Sequence, residues 1–211
     1  NYTNGGTMRN VDNTYQGFLT LEQCLVRSRN TCALQAFQSL SNSKINKFVT
    51  SLGITPEYLG KNSYINEAHS IGGYDGESPL TPTAAYAAFA NKGVYIEPHT
   101  FTKIVYRETG EEYINDIETT EAMSEETAYM ISDMLVSTAK YAMGWHYNVN
   151  GIEYAAKTGT TNFDYDQLVE NNMQWSGAVN DIWTVGYNTE YTLSVWYGYD
   201  GFSTEYYNTV N

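Results

Sequence analysis

Lys157-Thr158-Gly159-Thr160, at the end of a β-like run from Ile152 to Ala156, brings together residue types suited to holding a peptide carboxylate. The lysine supplies a positive field and the threonines supply hydroxyl donors. The glycine, with no Cβ, lets a second backbone lie close at a strand edge. Far upstream, Ser28-Arg29-Asn30 breaks a helical pattern, where a hydroxyl and an amide can project into a cleft. Taken singly, the first is an ordinary strand end and the second an ordinary helix-breaking turn. Their order and their surroundings decide whether they act together.

The elements that must position them read as follows. Residues 1–18 are Gly- and Asn-rich and are expected to run as an extended, looping approach. A helix is expected from Leu19 to about Arg27, capped by Thr20, with Glu22 in its first turn and Leu21, Leu25 and Val26 on one face. A second carries Ala33, Leu34, Ala36, Phe37 and Leu40, and a third runs from Ile45 to Leu52 and stops at Gly53. Pro82 is expected to open a small-residue helix that Gly93 ends. A hairpin is expected between Val94 and Glu112, pairing the stretch around Tyr95 with that from Phe101 to Tyr106 and turning at Thr109-Gly110. Ser124 caps a long helix with Ala128, Ile131, Leu135 and Ala139 as its buried stripe. A polar loop spans Thr161 to Asn180, and strands Asp181–Tyr187 and Tyr191–Tyr197 form a hairpin around Asn188-Thr189-Glu190. Helices first and an antiparallel meander last predict one α+β domain, an antiparallel sheet flanked by helices, whose edge strand carries Lys157.

Composition narrows the function classes. With 24 acidic against 11 basic residues in 211, the net charge is −13, which argues against a nucleic-acid partner. No apolar run approaches the roughly 20 residues that cross a bilayer. Asn1-Tyr2-Thr3-Asn4-Gly5-Gly6 reads as the middle of a longer polypeptide, so the chain is expected to be an excised or processed piece. Cys24 and Cys32 fit no zinc template and are expected to be buried thiols, a bridge between them remaining open. His69, His99 and His146 are scattered and expected to be structural or on the surface, and no metal or cofactor is implied. Asp164, Asp166 and Glu170 are expected to be solvated rather than a metal or acid–base cluster. Trp183 and Trp196 are expected in the core.

A Ser-x-Asn loop followed by a Lys-Thr-Gly strand is the order of penicillin-binding transpeptidases. The flanks agree over nearly all of the chain: Gly17-Phe18-Leu19-Thr20 before Ser28, Ser78-Pro79-Leu80, Ala85 to Gly93, Ala156 to Thr161, Asp181 to Tyr187 and Val195 to Asp200. The chain resembles the C-terminal part of the transpeptidase domain of a class A penicillin-binding protein. The resemblance implies the penicillin-binding transpeptidase and serine β-lactamase-like fold, incomplete at both ends. The family's nucleophile belongs to a Ser-x-x-Lys motif upstream of Ser-x-Asn. The two matches here, Ser41-Asn42-Ser43-Lys44 and Ser137-Thr138-Ala139-Lys140, both follow Ser28. The serine is therefore expected on a preceding segment of the same protein, and the isolated chain is expected to be inactive.

The resemblance implies a D,D-transpeptidase that cross-links peptidoglycan stem peptides through a serine acyl-enzyme and is acylated by β-lactams. It implies a bacterial extracytoplasmic setting with a membrane anchor outside this chain. Ser28 would relay a proton toward the leaving nitrogen, Asn30 would hydrogen-bond the substrate amide, and Lys157 would hold the potential positive beside Ser28. Thr158, Gly159 and Thr160 would form the substrate-binding edge. Thr160 is preferred for the carboxylate because alternation is expected to turn one threonine away, and its N–H is assigned to the oxyanion hole. Arg29 is expected to make a structural salt bridge. One alternative is a non-catalytic β-lactam sensor or scaffold of the same fold. A secreted β-lactamase would need a deacylating glutamate before Lys157, and Glu67 and Glu77 stand in no such context.

Overall fold

The computed structural model describes residues 1–59, 62–74, 76–144, 151–163, 165–170 and 179–198. The extended approach of residues 1–18 holds: it contains neither helix nor strand. Helix α1 (Leu21–Val26) starts on a capping box, in which the Thr20 side chain accepts from Gln23 N–H and the Gln23 side chain accepts from Thr20 N–H. Helices α2 (Asn30–Gln38) and α3 (Asn42–Ser51) follow, the latter capped by Ser41. Strands β1 (Tyr58–Leu59) and β2 (Asn62–Ser63) form a small antiparallel pair, and a 3-10 turn (Glu67–Ile71) leads to α4 (Leu80–Ala90). Helix α4 begins two residues before Pro82. The proline sits in the first turn, where its missing N–H has no partner to lose.

The expected hairpin is half correct. Strands β4 (Lys103–Val105) and β5 (Glu112–Ile114) pair across the Thr109-Gly110 turn, with Gly110 at φ +73°. Strand β3 (Val94–Ile96) instead pairs with β6 (Thr119–Glu121). Helix α5 (Glu125–Met143), capped by Ser124, buries Ala128, Leu135 and Ala139 as the stripe predicts, and Ile131 packs beside Leu135. Strand β7 (Ala155–Asn162) leads into the stretch expected to be loop, where a short helix, α6 (Tyr165–Glu170), forms. Asp166 and Glu170 are exposed on it, and Asp164 lies outside the described residues. Strands β8 (Val179–Tyr187) and β9 (Thr192–Gly198) complete a three-stranded antiparallel sheet in the order β7-β8-β9.

Alternation along the sheet separates two faces. Ala155, Lys157, Gly159 and Thr161 share one face with Tyr187, Val185, Trp183 and Asp181 of β8 and with Thr192, Ser194, Trp196 and Gly198 of β9. Helices α4 and α5 cover this face. Leu135 of α5, Ala155 and Tyr187 make one core cluster, with Leu25, Tyr86 and Phe89 packed around it. Ser194 Oγ donates to Pro79 O at 2.5 Å. The opposite face presents Ile182, Leu193, Val195 and Tyr197, all exposed. A second cluster joins α3 to α4 through Leu52, Ala85 and Ala88. Trp183 and Trp196 lie side by side on the helix-covered face, partly buried, with Trp196 Nε1 donating to Asp181 Oδ1 at 2.7 Å.

Candidate active site

Two distant elements meet at Ser28 and Lys157. Helix α1 ends by turning Ser28 into the left-handed region at φ +49°. Ser28 N–H donates to Leu25 O at 3.0 Å and Arg29 N–H to Cys24 O at 2.9 Å, the paired bonds of a Schellman ending. That position is ordinarily glycine's, since an L side chain there costs about 1 kcal/mol. A serine held in such a conformation is the kind of strain that collects at functional sites. The turn leaves the Ser28 side chain exposed, and Lys157 Nζ donates to its Oγ at 2.8 Å.

Lys157 reaches Ser28 because it stands on the helix-covered face of β7, opposite Val185. Its amine also donates to Thr158 O at 2.7 Å. Partial burial pushes its pKa below the ordinary lysine value. Strand β7 is an edge strand that pairs only with β8 among the described residues, so its other backbone edge can take an extended peptide. A Cβ on Gly159 would meet only the Trp183 Cβ, at 3.5 Å, an ordinary contact. Packing within the sheet does not require a glycine there.

The expectation that alternation separates Thr158 from Thr160 does not hold. Residues two apart in a strand point the same way, and both side chains are exposed on the face away from Lys157. The two hydroxyls lie on the same face of β7.

Asn30 opens α2, and its Nδ2 donates to Arg9 O at 2.9 Å. Arg29, as expected, makes a salt bridge: its buried guanidinium meets Asp12 Oδ1 at 2.6 Å and Thr14 Oγ1 at 3.4 Å. The hydrogen bond from Arg29, with a second from Thr14 N–H, holds the Asp12 carboxyl well below the usual carboxylate range. Buried Asn10 completes the clamp. Its Oδ1 accepts from Thr31 N–H and the Thr31 hydroxyl at 3.2 Å each, and its Nδ2 donates to Thr14 O at 2.8 Å. Sequence reasoning missed these residues. The available signal was Arg29 itself, because an arginine inside a buried corner needs a carboxylate partner, and Asp12-Asn13-Thr14 is turn-forming.

The cysteines correct another expectation. Cys24 and Cys32 are bridged, with Cα atoms 5.9 Å apart, and the bond joins α1 to the first turn of α2. Reversal of the chain at Ser28 brings the two helix ends within bonding reach.

The two Ser-x-x-Lys matches are occupied locally. Ser41 caps α3 by accepting from Lys44 N–H, and Lys140 Nζ donates to Glu153 Oε1 at 3.1 Å. Glu67 accepts from Thr3 and Gln38, and Glu77 from Thr55 N–H. His69 packs between Tyr64 and Tyr74, His99 is exposed, and His146 lies outside the described residues. Among the described residues no cluster of His, Cys, Asp or Glu could hold a metal, and no helix is long and apolar enough to cross a membrane.

Comparison with known proteins gives this arrangement a family. The family model for the penicillin binding protein transpeptidase domain matches residues 1–208. The chain is 42% identical over 200 residues to penicillin-binding protein 1A/1B of Bacillus subtilis, covering 93% of this chain and 21% of that protein. Among solved structures it is similar in fold to the penicillin-binding protein PonA1 of Mycobacterium tuberculosis, with a TM-score of 0.77 at 24% identity over 95% of this chain and 53% of that one. Penicillin-binding protein A of M. tuberculosis, solved as an imipenem acyl-enzyme complex, gives a TM-score of 0.67 at 16% identity over 90% and 45%. The chain thus spans about a fifth of its B. subtilis relative and about half of the solved chains. It belongs to the penicillin-binding protein transpeptidase domain family, and its curated relatives include penicillin-binding proteins of the class A, 1A/1B kind.

Proposed function

We propose that this chain is the C-terminal part of a D,D-transpeptidase domain that cross-links peptidoglycan stem peptides through a serine acyl-enzyme. In this reading the serine comes from a preceding segment of the same polypeptide. The observation that carries the proposal is the 2.8 Å contact between Lys157 Nζ and Ser28 Oγ beside an open strand edge. A stem peptide ending in D-alanyl-D-alanine would lie along β7, its carboxylate taken by the Thr158 and Thr160 hydroxyls and the Lys157 field. The serine oxygen attacks the penultimate carbonyl carbon. The oxyanion that forms is held by the Thr160 N–H and the N–H of that serine. The serine proton passes by way of Ser28 to the departing nitrogen, the C–N bond breaks and D-alanine leaves. An amine from a second stem peptide then attacks the ester, forming the cross-link and returning the proton to the serine. Asn30 orients the substrate amide by exchanging its bond to Arg9 O for one to the ligand.

β-Lactams enter the same path, their ring carbonyl taking the place of the scissile amide. The Cys24–Cys32 bridge fits an oxidising, extracytoplasmic compartment, with the membrane anchor outside these residues. The test is to label the complete polypeptide with a fluorescent penicillin and map the modified peptide. The expected result is one labelled serine upstream of Asn1 and no label on the 211-residue chain alone. A folded, complete protein that takes no label refutes the reading. A label on Ser41 or Ser137 refutes the placement of the nucleophile. A stable label without release of D-alanine from a stem-peptide analogue points to the sensor instead.

A further inference from the structure

The corner that carries Ser28 is tied from two sides. On the α2 side, Arg29 is anchored to Asp12 and Thr14, and Thr31 to Asn10. These bonds fix where α2 begins, but they do not reach α1. Helix α1 is six residues long, too short to persist on its own, and it packs on α5 rather than along α2. Its covalent tie to α2, beyond the chain itself, is the Cys24–Cys32 bond. Cys24 also supplies the carbonyl that receives Arg29 N–H in the ending that turns Ser28 left-handed. Ser28 is exposed, and its hydroxyl accepts from Lys157 Nζ. Its position follows from where α1 ends relative to the start of α2, the two elements that the bond joins.

We propose that the Cys24–Cys32 disulfide is a positioning element of the acylation reaction, keeping Ser28 Oγ within hydrogen-bonding reach of Lys157 Nζ. This rests on the transpeptidase reading above. With the bond open, α1 pivots on α5 while α2 stays clamped to Asp12 and Asn10. The left-handed serine then relaxes toward ordinary backbone geometry, and its hydroxyl leaves the amine. Opening the bond with a dithiol transfers two electrons and two protons to the cystine, giving two thiols, while the dithiol closes to its own disulfide.

The test uses the complete polypeptide and the second-order rate of acylation by a fluorescent penicillin, measured well below the melting temperature. Four forms are compared: oxidised, dithiol-reduced, reduced and then reoxidised, and a Cys24→Ser/Cys32→Ser variant. Because misplacing a reacting group by about 1 Å costs up to roughly a hundredfold, reduction is expected to slow acylation about ten- to a hundredfold. Reoxidation should restore the rate, and the double variant should be slow and indifferent to dithiol. In a Ser28→Ala background, removing the bond should produce no further loss, which a purely stabilising cross-link would not predict. An unchanged rate in reduced, folded protein overturns this proposal alone, as does a full further loss in the Ser28→Ala background. If the double variant does not fold, the reduced wild type, checked by circular dichroism, decides the matter in the same way. Wild-type protein that takes no label at all overturns the transpeptidase reading and this proposal together.

Discussion

Replacing Lys157 with glutamine removes the ammonium while keeping a side chain that can still donate a hydrogen bond. In the folded protein the amine makes two bonds, to Ser28 Oγ at 2.8 Å and Thr158 O at 2.7 Å. Hydrogen bonds to a charged group each contribute about 1.5–3 kcal/mol to stability. Against this, taking an ammonium partly out of water costs several kcal/mol, the same desolvation that lowers the Lys157 pKa. The two contributions nearly cancel, so Lys157→Gln is expected to change folding stability by no more than about 1 kcal/mol, or about 4 °C in Tm for a domain of this size. Acylation should respond very differently. A pre-aimed donor in an acyl-transfer site is worth about a hundred- to a thousandfold in rate. The assay pairs a thermal melt with fluorescent-penicillin acylation of the complete polypeptide over a range of penicillin concentrations, which separates binding from the acylation step. A melting temperature lowered by 10 °C or more (roughly, on the same scaling) would show that Lys157 holds the fold together. Acylation within a factor of about two of wild type would refute its role in the site.

Three further outcomes test the packing that positions the site. Gly93→Ala places a Cβ 2.1 Å from Met123 O at φ +87°, so it should lose about 3 kcal/mol or more and melt markedly lower. Leu34→Ala empties the largest fully buried side chain of α2 and should cost roughly 3 kcal/mol by chemical denaturation. Lys157 also predicts a pH signature. Its folded pKa lies below that of the unfolded chain, so between the two values the unfolded state binds more protons and stability rises with pH toward 10.5. Tyr187, pushed up to about 12 by burial, acts with the opposite sign above pH 10, so the lysine contribution is read as the difference between wild type and Lys157→Gln in denaturation series at alkaline pH.

What the sequence disclosed follows from how local each signal is. The stripe of α5 and the β8–β9 hairpin were legible because a single period runs through each of them. Ser28-Arg29-Asn30 was legible as a break, and Lys157-Thr158-Gly159 as a strand, but not the distance between them, which depends on how α1 stacks on α5 and α5 on β7. Pairing of β3 with β6 was hidden because Thr119-Thr120-Glu121 is too short and too polar to show alternation. The disulfide was hidden because eight residues of separation say nothing of whether the chain reverses between them. The left-handed Ser28 left no trace either, since serine ordinarily avoids that conformation and a glycine would have been the expected signal. The Asn10–Asp12 clamp is built from residues that read only as a polar turn until Arg29 is seen to be buried beneath them.

The central claim is that Ser28 and Lys157 act as one unit on an acylating serine, and a double-mutant cycle on acylation measures that directly. Ser28→Ala, Lys157→Gln and the double variant are prepared in the complete polypeptide, each checked for folding, and their second-order rates with a fluorescent penicillin are compared with wild type. If the 2.8 Å contact is functional, each single change slows acylation steeply and the double variant is little slower than the worse of the two. Rates that fall independently, so that the double variant shows the product of the two losses, would mean that the hydroxyl and the amine are neighbours without a common task.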